Sequence, residues 1–360
     1  MKSIKILTSL MFVAIMAFII AILFSLPFEG VLLALIALSF VTMQKGVALM
    51  AVTVEIWQKD IIDNLFKNND FAKRAFSEDE YVIGGKIVHI PTAGAPDKSF
   101  KNLDVFPVNA VKRVDDEVLY SLDTYYQKPK FVEKVEQYEL SYDKRQSIMG
   151  EQQSQLIQDA MEGLLYRWSL TGKNMDTAGK YVLTTGVASA TDMLAGATGG
   201  RLTMNKAAFG TIKKKMDNDN ILQAGRVALL TANHYQQFLD SLSDAERVDV
   251  YRYADMTNGV IGKYLGFDVL MRSTVQRWRS TAGVWAPVDE QDLAFVAGVD
   301  DSSASIFYQG NAVGRARGQV NVFDSAGRPE YYGDLFSMNM RLGGRQRRAA
   351  GIYSAIEAIA

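Results

Sequence analysis

Side chains that could carry catalysis or bind a metal are scarce in this 360-residue chain. It contains no cysteine and two histidines, His89 and His234, which lie far apart in the sequence. The missing cysteines exclude disulfide bonds and thiolate metal sites. A zinc site or a Ser/His/Asp triad would require the fold to bring one histidine to its partners by chance. We therefore interpret both as ordinary surface or half-buried residues, and we expect no enzymatic activity, no metal and no cofactor.

Two glycine patterns and one acidic run also fail as active-site motifs. Gly314 and Gly318 lack the Walker lysine and the strand–loop–helix context of a phosphate-binding loop. The sequence GGK at 84–86 lacks the earlier glycine of such a loop. The acidic run at 115–117 lies beside a predicted strand, where charge discourages wrong pairing of an exposed edge.

Composition places the chain among ordinary globular proteins. The hydrophobic fraction is 48%, the charged fraction is 22% and the formal net charge is -1. A protein that coats nucleic acid usually has a basic face or a high isoelectric point, so the whole chain is not a polycation of that kind. The length allows one large or two medium domains.

The first 49 residues differ from the rest. Residues 6–26 carry no charge, and as a helix they would extend about 31 Å, enough to cross a bilayer. A second apolar run covers residues 31–43. Three interpretations stay open: a membrane hairpin or anchor; a signal peptide, which the long apolar core and the missing Ala-x-Ala site disfavour; or a segment that is removed, precedes a later start at Met50, or acts only during assembly.

Later segments predict a mixed α+β domain. Residues 52–76 read as an amphipathic arm, and 83–122 as a long hairpin with a mobile tip. The clearest helix covers about 142–170, where apolar residues form one stripe. The remaining predicted elements are helices at 204–217 and 233–242, and strands at 226–231, 259–271, 292–323, 331–342 and 351–359.

Several of these segments, taken in order, resemble the major capsid proteins of tailed bacteriophages. The sequences at 52–76, 84–95 and 115–129 are similar to the family's N-terminal arm and extended loop. The sequence ELSYDKRQSIMGEQ resembles the start of its spine helix. The segments that resemble its axial domain and the return to its peripheral domain are 225–239, 259–273 and 312–348.

The resemblance implies the Hong Kong 97-like α+β capsid fold, preceded here by a hydrophobic segment. It implies hexamers and pentamers in an icosahedral shell around double-stranded DNA, assembled in the host cytoplasm and present in the virion. It also implies a portal partner, and scaffold, protease or decoration proteins as further partners. The implied parts are the hydrophobic segment 1–49, the arm 50–82, the extended loop 83–130, the peripheral domain 131–200, the axial domain 201–311 and the peripheral return 312–360. Family members often begin with a charged, helical scaffolding segment, from which residues 1–49 depart.

Ten residues are candidates for contacts between subunits. Aromatic residues on the arm are typical interface anchors, with the core of a helical subdomain as the alternative. Lysines near the hairpin tip and the acidic residues 78–80 are candidates for intersubunit ion pairs, or else a solvated loop. The C-terminal arginines are candidates for DNA phosphate or for carboxylates of the next subunit, and we favour the second. The candidates are Trp57, Phe66, Phe71, Phe76, Lys98, Lys101, Arg341, Arg345, Arg347 and Arg348.

Two other functions remain open at this point. An encapsulin-like nanocompartment shell would share the fold and enclose protein cargo instead of DNA. A membrane-anchored α/β protein would use residues 6–43 for membrane contact.

Overall fold

A computed structural model describes residues 69–92, 101, 116–133, 144–169, 181–190, 193–255, 259–330 and 332–360. The described residues all belong to the second of two compact units, which cover residues 1–60 and 61–360. The predicted membrane segment, most of the arm and the hairpin tip lie outside the described residues. Among the helices described, none is both long and apolar enough to cross a bilayer.

The helices of the described part pack through apolar stripes. The predicted spine helix is confirmed, and its stripe of Leu156, Ala160, Leu164 and Trp168 is buried. The helices are α1 (Asp70–Lys73), α2 (Lys144–Ser169), α3 (Lys206–Asn218), α4 (Ala232–Asp240) and α5 (Asp244–Arg252).

Local capping explains where two helices begin. The α3 helix starts at Lys206, two residues later than predicted, because the Asn205 side chain accepts the capping hydrogen bond from the Ala208 N–H. The α5 helix was missed by the sequence analysis. A capping box between Ser243 and Glu246 starts it, and it buries Val250 alone, which leaves a weak amphipathic signal.

Eighteen strands occur in the described residues, most of them in two large sheets. The strands are β1 (Phe76–Ser77), β2 (Val82–Ile83), β3 (Ile87–Thr92), β4 (Asp116–Ser121), β5 (Asp123–Tyr126), β6 (Lys130–Glu133), β7 (Tyr181–Leu183), β8 (Ala188–Ser189), β9 (Arg201–Leu202), β10 (Arg226–Thr231), β11 (Gly262–Tyr264), β12 (Phe267–Arg272), β13 (Gln276–Thr281), β14 (Val284–Val288), β15 (Asp301–Gln309), β16 (Val313–Arg328), β17 (Gly333–Gln346) and β18 (Ile352–Ile356).

The first large sheet is built on β16 and β17, which we call the long ribbon. Its order is β1-β16-β17-β5, and β6 also pairs with β17. Helix α2 packs on the ribbon, where Phe336, Met338 and Met340 are buried. A separate sheet of β2, β3 and β4, which we call the hairpin stem, confirms the paired base of the predicted hairpin.

The second large sheet has eight strands in the order β11-β12-β10-β15-β13-β14, with β18 on β15 and β7 on β18. All nine residues of β15 are buried, so it is the centre of this sheet. The prediction of strands over 292–323 was wrong for the first part, because 289–300 is a loop and the strand begins at Asp301. The β13–β14 hairpin was not predicted from the sequence.

Trp168 ties α2 to the rest of the fold. Its side chain is fully buried, its ring packs on Phe71 and Tyr308, and its Nε1–H donates to the Gly314 carbonyl at 2.9 Å. The side chain therefore fills space and satisfies a buried backbone acceptor at once.

We expect Trp168→Ala to lower the free energy of unfolding by about 3–5 kcal/mol, since it leaves a large cavity and an unpaired carbonyl. Urea unfolding of the unassembled chain measures this. Leu222→Ala, at an exposed position, is the matched control and should change the value by less than about 0.5 kcal/mol. A loss under about 1 kcal/mol for Trp168→Ala would contradict the assignment.

Candidate functional site

A buried carboxylate, Glu78, is contacted by two arginines and a tyrosine next to the first large sheet. The residue is 1% exposed. Arg345 donates to it from Nε (3.2 and 3.1 Å to the two oxygens) and from Nη2 (3.0 Å). Arg347 Nε lies 3.3 Å from Oε1, and the Tyr120 hydroxyl donates to Oε2 at 2.8 Å. We call these four residues the Glu78 cluster.

The Glu78 cluster joins three parts of the chain. Glu78 directly follows β1, Tyr120 belongs to the hairpin stem, and Arg345 lies near the end of β17. The Glu78 N–H also donates to the Arg315 carbonyl on β16 at 2.7 Å. Since an unpaired buried charge is costly, the three parts are held in the arrangement in which the Glu78 carboxylate is paired with the arginines.

Tyr120 stays a hydrogen-bond donor in this setting. Burial raises the pKa of its hydroxyl above the ordinary value, and the charge of Glu78 and the hydrogen bond to it raise the pKa further. The hydroxyl is therefore neutral at any physiological pH and keeps the hairpin stem attached.

Glycines allow the hairpin stem to cross the long ribbon. A Cβ at Gly343 would lie 2.7 Å from Leu122, and one at Gly318 would lie 2.7 Å from the Gly85 carbonyl. A Cβ at Gly314 would lie 2.7 Å from the Glu78 carboxyl. The Gly314-x-x-x-Gly318 pattern thus serves close backbone approach.

The predicted basic cluster is used within the chain. Arg345 and Arg347 pair with Glu78, and Arg341 Nη1 donates to the Gly85 carbonyl at 3.2 Å. Arg348 is exposed. An intramolecular carboxylate therefore takes the place of the DNA phosphate or next-subunit carboxylate that the sequence predicted for Arg345 and Arg347.

The predicted aromatic candidates are divided by the fold. Phe71 is buried against Trp168, with ring centroids 5.9 Å apart, so its side chain belongs to the core, the alternative that the sequence analysis kept. Phe76 is exposed, and the Arg347 guanidinium lies 3.8 Å above its ring. Lys101 is exposed on the surface. The candidates Trp57, Phe66 and Lys98 lie outside the described residues.

The outer face of the hairpin stem carries exposed apolar side chains next to the His89–Glu117 pair. Val88 points inward and packs with Leu122 and Ala316. On the opposite face Ile83, Ile87 and Leu119 are exposed. The alternation of side chains along a strand places one set inside and the other outside, so the apolar outer set needs another surface to cover it.

The outer face of the long ribbon's sheet carries exposed aromatic side chains. Tyr126 is 74% exposed. Phe131 and Phe323 are exposed on neighbouring strands, while Val132 faces inward and is buried. The alternation of residues along each strand predicts which side chains share a face of that strand. It does not predict the pairing register that brings Tyr126, Phe131 and Phe323 onto one face of the sheet.

A second buried carboxylate, Asp301, lies at the start of the central strand β15 and links it to the neighbouring strand β13. Arg279 Nε donates to it at 2.6 Å, Arg277 Nη1 at 3.2 Å and the Gly298 N–H at 2.8 Å. Burial acts to raise the pKa of Asp301, but the hydrogen bonds from Arg279, Gly298 and Arg277 outweigh it and hold the pKa below the ordinary value.

The two histidines each meet a glutamate. His234 was expected at the surface or half-buried, and it is instead fully buried, with Nδ1 2.6 Å from Ser305 Oγ and Nε2 2.9 Å from Glu357 Oε1. This Ser–His–Glu arrangement resembles a catalytic triad, but all three side chains are sealed from solvent. His89 is half-buried and lies 2.5 Å from Glu117. No group of three metal-ligating side chains occurs in the ranges that the structure describes.

Removing the Glu78 carboxylate should destabilise the fold. We expect Glu78→Ala to cost about 3–5 kcal/mol in urea unfolding, because Arg345 then lacks its buried acceptor. Glu80→Ala removes an exposed carboxylate two residues away and should cost less than about 0.5 kcal/mol. Equal effects of the two substitutions would refute the role of the Glu78 cluster.

The free energy of unfolding should depend on pH in the acid range through Asp301. Because its pKa is lower in the folded chain, its ionised form stabilises the fold above the unfolded pKa of about 3.9, and this contribution is lost as pH falls through the folded value. We expect the difference in unfolding free energy between wild type and Asp301→Asn to shrink from about pH 6 to about pH 3. A difference that stays constant over this range would argue against the pairing.

Comparison with known proteins identifies the fold. Neither a family model nor a curated protein matches the sequence. The capsid of cyanophage P-SCSP1u matches with a TM-score of 0.52 at 14% identity, over 80% of this chain and 87% of that chain. The capsid of a native GTA particle matches with a TM-score of 0.51 at 11% identity, over 81% and 90% of the two chains. The head structure of Helicobacter pylori bacteriophage KHP40 matches with a TM-score of 0.51 at 10% identity, over 80% and 90%.

Each match covers four fifths or more of this chain. At these identities the three structures resemble the chain in their fold. The chain therefore has the mixed α+β fold of phage capsid proteins.

Proposed function

We propose that the chain is the major capsid protein of a tailed bacteriophage, a structural subunit without catalytic activity. The observation that carries the proposal is a fold shared with phage capsids that exposes large apolar side chains on the hairpin stem and on the long ribbon's sheet, Leu119 and Tyr126 among them. Exposed apolar faces of this kind are costly in a free monomer and favourable between subunits.

The proposed assembly is a shell of hexamers and pentamers around double-stranded DNA, built in the host cytoplasm and present in the virion. The arm (50–82) and the extended loop (83–130) would reach neighbouring subunits. The peripheral domain (131–200 and 312–360) and the axial domain (201–311) would form the shell wall. The Glu78 cluster supports this division of labour, because it fixes the loop's base to the peripheral sheet.

Intersubunit contacts are proposed for the candidates that are exposed, Phe76 and Lys101, and for Trp57, Phe66 and Lys98 outside the described residues. Arg341, Arg345 and Arg347 have intramolecular acceptors and would contribute to an interface only at its margin. Arg348, exposed near the C-terminus, is the candidate for contact with packaged DNA or with a carboxylate of the next subunit.

Further partners follow from the proposed role. We propose a portal protein as a partner, and scaffold, protease or decoration proteins as further ones. We propose that residues 1–49 are removed, precede a later start, or act only during assembly. Membrane contact would involve residues 6–43 alone.

Expression of the full chain tests the proposal. We expect sedimentation velocity and electron microscopy to show closed, shell-sized particles, or to show them once a scaffold protein from the same genome is supplied. Leu119→Asp, a charge on the uncovered stem face, should abolish the particles while leaving the circular dichroism of the chain unchanged.

Three results would point elsewhere. Particles that form in cells alongside the phage genome but contain protein cargo and no DNA would favour a nanocompartment. Flotation of the full chain with membranes after a high-salt wash would favour the membrane-anchored alternative. Particles that form equally well with Leu119→Asp would remove the stem face from the account.

A further inference from the structure

A cavity of about 450 Å³ lies where the loop after β14 meets α2 and β5. Four aspartates line it, Asp123 from β5, Asp159 from α2, and Asp289 and Asp292 from the loop. We call these four residues the acidic junction. The fold therefore brings four carboxyl groups together at the meeting point of three elements.

Arginine balances one of these four carboxylates. Arg167 Nε donates to Asp123 Oδ2 at 2.6 Å. Arg272, the other guanidinium close to the cavity, lies 3.5 Å from Glu162 instead. Within the described part of the chain, no ion pair includes any of the other three aspartates of the acidic junction.

Uncharged donors meet those three aspartates. Asp159 accepts from Gln155 Nε2 at 2.7 Å, and Asp289 accepts from the Gln291 N–H at 3.0 Å. Asp292 accepts from a backbone N–H two residues further on, also at 3.0 Å. These donors do not cancel the negative charge of the cavity.

Two aspartates of the acidic junction hold a proton more readily than an exposed aspartate does. Burial raises the pKa of Asp159 and that of Asp289 above the ordinary value. The charges of Asp123 and Asp292 raise the pKa of Asp289 further, and its hydrogen bond and Arg167 offset this only in part.

The other ionisable side chains around the cavity do not supply a free positive charge. Burial raises the pKa of Tyr125 and of Tyr166, and the charge of Asp289 raises both further, so these hydroxyls keep their protons. Tyr126 is mostly exposed. Glu290, on the same stretch of the loop, is paired with Arg277 at 2.8 Å.

The two sides of the cavity differ in how firmly they are held on α2. The Tyr125 hydroxyl lies against Gly163, where an added Cβ would be 1.9 Å from its oxygen, and the Asp123 ion pair ties the same strand to the helix. The loop meets α2 through a hydrogen bond from Gln291 Nε2 to Glu162 Oε2 at 3.0 Å. Repulsion among the aspartates would therefore displace the loop and not β5.

We propose that the acidic junction is a proton-sensitive joint within the chain. With Asp159 and Asp289 protonated the loop closes on α2, and with both ionised the repulsion between carboxylates holds it away. All of these groups belong to one chain, so the inference does not rest on the proposed function. In the proposed shell the joint would act between the axial domain, which contains the loop, and the peripheral domain, which contains α2.

Acid should stabilise this joint. Since the two pKa values are raised in the folded chain, the unfolded chain ionises first as the pH rises above about 3.9. The stability that the joint contributes is then lost until the pH has passed the folded values. The sign is opposite to that of Asp301.

A double variant, Asp159→Asn with Asp289→Asn, tests the joint, because it removes both charges and keeps the oxygens that accept from Gln155 and Gln291. The urea midpoint of the unassembled full-length chain is measured from about pH 4.5 to about pH 7.5. We expect the wild-type midpoint to fall relative to that of the double variant as the pH rises, and then to level off. Hydrogen exchange at 289–293 should be faster in wild type than in the double variant at the upper pH, and equal at the lower.

Asp249→Asn is the matched control, since it removes an exposed carboxylate on α5 and should follow the wild-type profile. Parallel profiles of wild type and the double variant, or a double variant that is less stable than wild type at the upper pH, would overturn the joint. If the double variant does not fold, wild type alone decides. Its protection at 289–293, corrected for intrinsic exchange, should decrease from about pH 4.5 to about pH 7.5 while that of β10 stays constant, and constant protection in both would overturn the joint.

Discussion

The buried ion pair between Glu78 and Arg345 is the interaction on which the arrangement of the long ribbon's sheet and the hairpin stem depends. A carboxylate that is 1% exposed must be paired, and its partners come from the hairpin stem and the far end of β17. Rotation of the stem away from the long ribbon would remove the Tyr120 hydroxyl from this carboxylate and the Gly85 carbonyl from Arg341. The seating of the stem on the ribbon therefore depends on hydrogen bonds to charged groups as well as on packing.

Close backbone approach makes that ion pair possible. Gly314 leaves room for the Glu78 carboxyl, and Gly318 and Gly343 let the stem lie directly on the ribbon. The β-bulge between Arg317 and Val320 lies at the same crossing. The stem and the ribbon's sheet are therefore held together as one arrangement, with exposed apolar side chains on each of them.

Patterns of local origin could be predicted from the sequence, and contacts between distant segments could not. The spine helix, the β10 strand and the base of the hairpin follow from apolar periodicity and turn residues. The inward pairing of Arg345, the burial of Phe71 and the sealed His234 network depend on residues more than 70 positions away. No local pattern encodes such a register. The resemblance of several segments in the same order nevertheless indicated the capsid fold, although no single motif among them is specific.

The central claim is that the apolar faces of the hairpin stem and of the long ribbon's sheet are covered by other copies of the chain. Hydrogen–deuterium exchange, compared between the unassembled chain and the assembled particle, tests it most directly. The account predicts slower exchange on assembly at 82–92, 116–133 and 320–337, with β10 and β15 equally protected in both states. Unchanged exchange in those three segments, with new protection elsewhere, would contradict it.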